Sequence, residues 1–248
     1  MPKSGNGERE IVEARKKLEE LNRFKNHLLS LASHEIKSPL SIIKGYATGL
    51  REGLYGQVGD KVKETLSRIE FSADELISLV DNIIDLRRIE EGRMKYEFSK
   101  TDLVGLSKDV VLAFEPVASG KKLNLSFKAS ARDIFVNADP TELKHAIQNL
   151  VDNAIKYTPK GFVKVEVSEG GSDAVFSVED SGIGIPKNVS PLLFQEFVRD
   201  DRVRSEIRGS GIGLHITKSI IEAHDGKIWV KSGGEGKGST FYFSLAKV

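Results

Sequence analysis

Apolar positions along this chain repeat with two different periods, and the change of period divides it. From about Glu8 to Leu50 the period is helical. Ile11, Ala14, Leu18 and Leu21 are spaced three and four apart, and Phe24, Leu28 and Leu31 continue the stripe with one step of three where four was due. That irregularity is a stammer, which overwinds a coiled coil locally. The other face, with Glu8, Arg9, Glu10, Glu13, Arg15, Lys16, Lys17, Glu19 and Glu20, is charged and solvated, as in a helix arriving from an upstream element. Gly45, Gly49, Gly53, Gly56 and Gly59 thin the helix out and end it. From about Asp60 to Glu91, Val62, Leu66, Ile69, Ala73, Leu76, Val80 and Ile83 alternate four and three without a break, and Ile77 and Ile84 widen the stripe. Two long helices with so wide an apolar face cannot bury it alone. The pattern predicts a helical hairpin that dimerises into a four-helix bundle.

Past Glu91-Gly92-Arg93 the pattern shifts, with a short linker near Met94–Ser99. A helix is predicted from Thr101-Asp102 to about Ala118, stopped by Gly120. Leu123–Phe127 and Ile134–Asn137 read as strands. Asp139-Pro140-Thr141-Glu142 combines an N-cap, a Pro at the first helical position and an early acid, opening a helix to Tyr157. Phe162–Ser168 and Ala174–Glu179 read as strands joined by a Gly-rich turn, Gly211–His224 as a helix, and Lys227–Lys231 and Thr240–Leu245 as a last strand pair. There is no clean βαβ repeat. The expected fold is α+β and multidomain: residues 1–20 a signalling-helix or linker segment, 21–93 the hairpin, and 100–248 an α/β sandwich.

Composition narrows the choice of function. A net charge of +1 over 248 residues argues against a nucleic-acid partner held by phosphate neutralisation. The absence of Cys excludes disulfides and thiolate metal sites. No apolar run approaches the roughly 20 residues needed to cross a bilayer, and no signal peptide opens the chain, so a cytoplasmic location is expected. The loop-like start, Met1–Gly7, reads as the stub of a linker, with an upstream sensor and any membrane anchor lying outside this chain.

One stretch, Leu31–Leu40, sets His34 and Glu35 side by side within the helical pattern, with Pro39 a turn later. His34 falls just beside the seam and reaches solvent. Pro39 removes the backbone hydrogen bond to the Glu35 carbonyl. His34 reads as a nucleophile that takes a phosphoryl group from ATP. His27 shares its face but has no following acid or Pro, and reads as a surface residue. Three clusters in the second half fit one nucleotide site. Asn149, Asn153 and Lys156 lie on one helix face, where an amide oxygen suits Mg²⁺ and Lys156 suits a phosphate. Asp180-Ser181-Gly182-Ile183-Gly184 follows a strand; its carboxylate can accept the adenine amino group, and its glycines allow close backbone approach. Arg208-Gly209-Ser210-Gly211-Ile212-Gly213-Leu214 precedes a helix whose N-terminal amides suit phosphate. One glycine loop is weak evidence, but three clusters in this order are strong.

With these residues quoted, the chain from about Leu18 to Val248 resembles the catalytic core of the sensor histidine kinases of two-component signalling. His34–Leu40 is similar to that family's phospho-acceptor box, Asn149–Pro159 to its asparagine box, Asp180–Pro186 and Gly209–Leu214 to its two glycine boxes, and Phe194–Phe197 to its phenylalanine box. The resemblance implies a homodimer in which His34 takes the γ-phosphoryl of ATP and Glu35 holds the ring proton. The phosphoryl group then passes to an Asp of a response regulator receiver domain. It implies that Asn153 holds Mg²⁺ with Asn149 near it, that Lys156 meets phosphate, and that Tyr157 lies against the nucleotide. Asp180 reads adenine, with Gly182 and Gly184 lining its pocket and Thr240 a lesser neighbour. Gly209, Gly211 and Gly213, with Leu214 closing the box, hinge a lid over roughly Val198 to Arg208. Lys37 stands where the family more often has Arg. Ser38, where Thr or Asn is common, would position the water that dephosphorylates the regulator. Two other functions compete: an ATPase of the gyrase or chaperone type, and a phosphorelay scaffold with a decayed nucleotide site. The first would use a Glu where Asn149 stands, and the intact clusters argue against the second. His145, His215 and His224 read as a space-filling or solvent-facing residue, a helix-surface residue and a helix end capped by Gly226 respectively, and no His metal site is expected.

Overall fold

The structure is a computed structural model that describes residue 17 and residues 35–198 and 211–248. The chain divides into two compact units, Met1–Glu91 and Gly92–Val248. The expected seam over Ile11–Leu31, His27 and His34 lie outside the described residues.

In the first unit, helix α1 is described over 35–52 and α2 spans Asp60–Glu90. Gly53 (φ +83°) and Gly56 (φ +109°) take the left-handed backbone that ends α1, and the Leu54 amide returns to the Gly49 carbonyl at 2.9 Å. A side chain at Gly49 would run into the Tyr55 ring, so this glycine lets the loop fold back on the helix. Three ion pairs set the register: Lys37 with Asp81, Lys44 with Asp74 at 2.7 Å, and Arg51 with Glu70 at 3.0 Å. The three basic residues are seven apart and share one face. Each such exposed pair contributes about 0.2–1 kcal/mol, so the ladder specifies alignment more than it stabilises. The α2 stripe is used by halves. Leu66, Ala73 and Val80 are buried, whereas Val62, Ile69 and Leu76 are 40–49% exposed within the single chain.

The second unit is a two-layer sandwich. Its main sheet has the order β2-β4-β5-β7-β6, with β2 (Asn124–Ala129), β4 (Phe162–Gly170), β5 (Asp173–Asp180), β6 (Lys227–Ser232) and β7 (Ser239–Ala246). Only β2 and β4 run parallel; the other neighbours are antiparallel. Helices α3 (Leu103–Gly120), α4 (Pro140–Lys156) and α5 (Gly213–Ala223) pack against this sheet. Strict alternation buries Val163, Val165, Val167, Phe176, Val178, Phe241 and Phe243, with the Phe176 and Phe243 rings stacked at 4.7 Å. The alternate residues, including Lys164, Glu166, Glu179 and Tyr242, are only half-buried, as on an antiparallel sheet with one solvated face. Two fully buried aromatics and a block of Val, Leu and Ile at 0–2% exposure make this the dominant core.

Two local expectations change. Thr101 does not begin a helix: β1 (Ser99–Asp102) pairs with β3 (Phe135–Ala138), and Asp102 caps α3 by accepting the Val104 and Gly105 amides at 3.0 Å. At the end of α5 the left-handed residue is Asp225 (φ +56°), not Gly226. Gly226 is required because a Cβ there would strike the Ser244 carbonyl and Leu245. The α4 start is as read: Asp139 accepts the Thr141 and Glu142 amides at 2.9 and 3.1 Å, with Pro140 first in the helix.

The residues expected to form a linker are tied to this unit around His224, which ends α5 as read but is only 6% exposed. The Tyr96 and Phe98 rings pack on its imidazole at 5.3 and 4.8 Å, and the Glu97 amide donates to Asp139 Oδ2 at 2.8 Å. His224 Nδ1 lies 2.7 Å from the Ile220 carbonyl, and Nε2 accepts the Asp139 amide at 2.9 Å. A carbonyl only accepts, so the proton sits on Nδ1, and the neutral ring satisfies both partners. Burial opposes ionisation of Asp139, but the Glu97, Glu142 and Thr141 amides outweigh it and hold its pKa below the usual carboxylate value.

His224→Leu leaves a buried amide without its acceptor and is expected to cost about 1–3 kcal/mol in chemical denaturation. Because the folded pKa of Asp139 is lowered, its contribution is present above about pH 3.9 and is lost as pH falls through the lowered value. Acid titration of stability should therefore be shallower in Asp139→Asn than in the native chain.

Candidate active site

Helix α4 buries Leu143, Ala146, Ile147, Leu150, Val151, Ala154 and Ile155, which leaves Asn149, Asn153 and Lys156 on its half-buried flank. Asn149 Nδ2 donates to Thr217 Oγ1 of α5 at 2.7 Å, and that hydroxyl donates to the Gly213 carbonyl at 3.0 Å. A Cβ at Gly213 would collide with the Asn149 side chain, so the glycine allows α5 to begin against α4. Asn153 Nδ2 points back to Asn149 Oδ1 at 3.5 Å, and no described residue donates to Asn153 Oδ1. That hard oxygen suits Mg²⁺ sharing its shell with water and nucleotide phosphates. Among the described residues no group of three or more His, Cys, Asp or Glu side chains could hold a metal ion. A metal here would lean on the nucleotide for most of its ligands.

The end of α4 is fastened first by Lys121, which the sequence did not single out. Lys121 Nζ donates to the Ile155 and Lys156 carbonyls at 3.0 and 3.3 Å. Burial lowers its pKa, partly offset by the Asp152 carboxylate. The Tyr157 carbonyl receives the Ile183 amide at 3.1 Å, which joins α4 to the stretch after β5.

Asp180 ends β5 with 5% exposure. Its Oδ1 accepts the Gly182 amide at 2.8 Å, and its Oδ2 accepts a short hydrogen bond from Ser239 Oγ. Burial raises its pKa, and these two donors only moderate the rise. Ser239 takes the place expected of Thr240. Register pairs Asp180 with Ser239 and Glu179 with Thr240, so alternation puts Thr240 on the opposite face from Asp180. The glycines are also needed by the fold itself. A Cβ at Gly182 would meet the Tyr157 carbonyl, one at Gly184 (φ +66°) the Gly234 carbonyl, and one at Gly238 the Asp180 carbonyl. It is protein backbone that approaches them. Ser232 Oγ joins the same walls, accepting the Ile185 amide at 3.1 Å and donating to the Gly238 carbonyl at 2.7 Å.

Gly211 (φ +73°) precedes α5, whose N-terminus has no side-chain cap, and Leu214 is half-buried in the first turn. Uncapped amides at a helix start suit an anion. Gly209, Arg208 and most of the expected lid lie outside the described residues, as does His34. Glu35, Ser38 and Pro39 are exposed on α1. His145 is exposed beside Glu142, as expected, but His215 is not a plain surface residue: Nδ1 lies 3.1 Å from the Phe194 carbonyl.

Two family models match. The "His Kinase A (phospho-acceptor) domain" covers residues 24–92, and the "Histidine kinase-, DNA gyrase B-, and HSP90-like ATPase" covers residues 138–248. The circadian input-output histidine kinase CikA of Synechococcus elongatus is 32% identical over 94% of this chain and 31% of its own length. Full-length ShkA, solved in complex with AMPPNP, is 27% identical with a TM-score of 0.70, covering 90% of this chain and 46% of that one. Histidine kinase ThkA matches in two forms. Its catalytic domain is 32% identical (TM-score 0.54), over 61% of this chain and 96% of that domain. Its complex with the response regulator protein TrrA is 25% identical (TM-score 0.59), over 100% of this chain and 68% of that one. The chain spans only about a third or less of the length of the curated relatives it matches.

Because the folded pKa of Asp180 is raised, its contribution to stability is greatest in acid and declines as pH rises through that value. Asp180→Asn should melt no lower than the native chain at pH 7, and the difference between them should shift in favour of the native chain as pH is lowered. Thermal melts across pH check this.

Proposed function

This chain belongs to the histidine kinase family, and on that premise we propose that it is an ATP-dependent protein histidine autokinase. One ring nitrogen of His34 attacks the γ-phosphorus, the bond from that phosphorus to the β–γ bridging oxygen breaks, and ADP leaves. The attacking nitrogen brings a lone pair and no proton, and the proton on the other ring nitrogen passes to Glu35. The phosphoryl group is then donated to an Asp carboxylate of a response regulator receiver domain. Residues 1–20 serve as the incoming segment, 21–93 as the acceptor hairpin and 100–248 as the ATP-binding domain.

The observation that carries this reading is the buried Asp180 carboxylate, held by Ser239 and the Gly182 amide and joined through α4 to the start of α5: the Ile183 amide bonds the Tyr157 carbonyl, and Asn149 bonds Thr217. A carboxylate kept dry can accept the adenine amino group at one end of ATP, while a helix start with no side-chain cap meets phosphate at the other. In this reading Asn153 holds Mg²⁺, which offsets charge on the phosphates, with Asn149 beside it. Lys156 meets a phosphate, Tyr157 lies against the nucleotide, and Gly182 and Gly184 shape the base pocket. Gly209, Gly211, Gly213 and Leu214 carry the segment that covers it. The AMPPNP bound to ShkA and the regulator bound to ThkA support ATP and a receiver domain as the partners. Val62, Ile69 and Leu76 at heptad spacing supply the face for a second copy. A cytoplasmic location accords with the described residues, none of whose helices is long and apolar enough to cross a membrane. Hydrolysis of the gyrase type is disfavoured, because Asn149 is an amide already bonded to Thr217 and cannot act as a base.

With γ-labelled ATP and Mg²⁺ the native chain should acquire label that is labile in acid and stable in base, and His34→Gln should acquire none. Label retained by His34→Gln would overturn the assignment. Ser38→Ala should slow regulator dephosphorylation several-fold with autophosphorylation unchanged, and equal dephosphorylation rates would remove the role given to Ser38.

A further inference from the structure

His215 sits two residues past Gly213, in the first turns of α5. The buried side of that helix is Ile216, Thr217, Ile220 and Ile221, so His215 is on a flank, with its side chain 25% exposed. Its ring reaches away from its own helix to the stretch 194–196. Nδ1 lies 3.1 Å from the Phe194 carbonyl, so the proton on Nδ1 donates there. Nε2 lies 3.5 Å from Glu196 Oε1. The backbone bonds of that stretch are otherwise short-range: Gln195 returns to Leu192, Leu192 to Val189, and Val189 and Ser190 to Pro186. Its other ring contact is Phe194 against Phe241, edge to face at 6.4 Å.

These contacts link to the residues of the candidate site on two sides. Phe241 lies two residues from Ser239 on the same face of β7, and Ser239 holds Asp180. Thr217 lies two residues beyond His215 and holds Asn149. His215 therefore connects the wall that carries Asp180 to the helix start that faces Asn149, through Phe194 on one side and the α5 backbone on the other.

We propose that His215 is a positioning residue for ATP binding, which fixes the Phe194–Glu196 stretch against the first turn of α5 and so sets the affinity of the site. This rests on the reading of residues 100–248 as an ATP-binding domain. The contacts of His215 are with Phe194 and Glu196, so its role is to hold the two walls in register. One hydrogen bond of this kind contributes about 0.5–1.5 kcal/mol, which is about two- to tenfold in affinity.

The test uses the whole chain and three proteins: native, His215→Leu and His215→Asn. Asn can place an amide N–H close to where Nδ1 stands, whereas Leu cannot. Calorimetry with Mg·ATP gives Kd, and autophosphorylation gives KM and kcat. His215→Leu should raise Kd and KM about three- to tenfold while kcat changes less than about twofold, and His215→Asn should recover most of the lost affinity. Melting temperatures of both variants are read alongside. The proposal is overturned if His215→Leu binds ATP as tightly as the native chain. It is also overturned if Asn and Leu lose affinity equally, or if kcat falls with KM unchanged, as it would for a partly unfolded sample. If His215→Leu does not fold, the comparison of His215→Asn and Glu196→Gln with the native chain decides it: affinity should hold in the first and fall in the second, and the reverse overturns it. A native chain that binds no ATP would defeat the nucleotide reading itself, a different result from a variant that binds normally.

Discussion

A carboxylate withdrawn from water at the end of a strand is the feature on which the second unit turns. Asp180 is costly to ionise where it lies, and two donors, Ser239 and the Gly182 amide, moderate that cost without removing it. Holding it there requires β5 and β7 in one register, and a turn after β5 that doubles back over the carboxylate. Backbone from two other segments converges on that turn, the stretch 182–185: the end of α4 and the loop 233–238. Gly182, Gly184 and Gly238 are small because these backbones lie against one another. The site's shape is thus a product of chain crossing, and only at second remove of side-chain choice.

The first unit works by a different economy. Its buried positions, Leu66, Ala73 and Val80, satisfy one helix partner, and an equal row at the same spacing stays open. The ladder of Lys37, Lys44 and Arg51 to acids on α2 chooses an alignment for the hairpin and leaves that row exposed. The second unit buries a large core of its own, whereas the hairpin within the single chain buries only part of its apolar stripe.

Sequence made much of this visible, and unevenly. The Asp139-Pro140 start of α4 was plain because cap, Pro and acid act within one turn. The strands of the main sheet announced themselves by alternation. Strand β1 did not, since Ser99-Lys100-Thr101-Asp102 has no apolar alternation and exists through its pairing with Phe135–Ala138. The choice between Ser239 and Thr240 is a matter of phase: a shift of one residue reverses the face, and only the register against Asp180 decides it. Lys121, His215 and His224 were obscure for a common reason. Each has a backbone carbonyl or amide 21 to 85 positions away as a partner, and backbone partners leave no mark in composition. The site residues of α4 and α5 were legible chiefly through resemblance in the order of motifs.

The knot around His224 has a mechanical meaning. Residues 96–98 grip the imidazole and the Asp139 carboxylate, and that carboxylate is also the cap of α4. Tension applied to the chain ahead of β1 therefore arrives first at the head of α4. Asn153 sits near the far end of that same rod, about 20 Å away at 1.5 Å per residue. A stiff helix anchored at its head by the segment ahead of β1 and carrying its amide near its tail is a pushrod, and whatever pulls on residue 97 works on that handle.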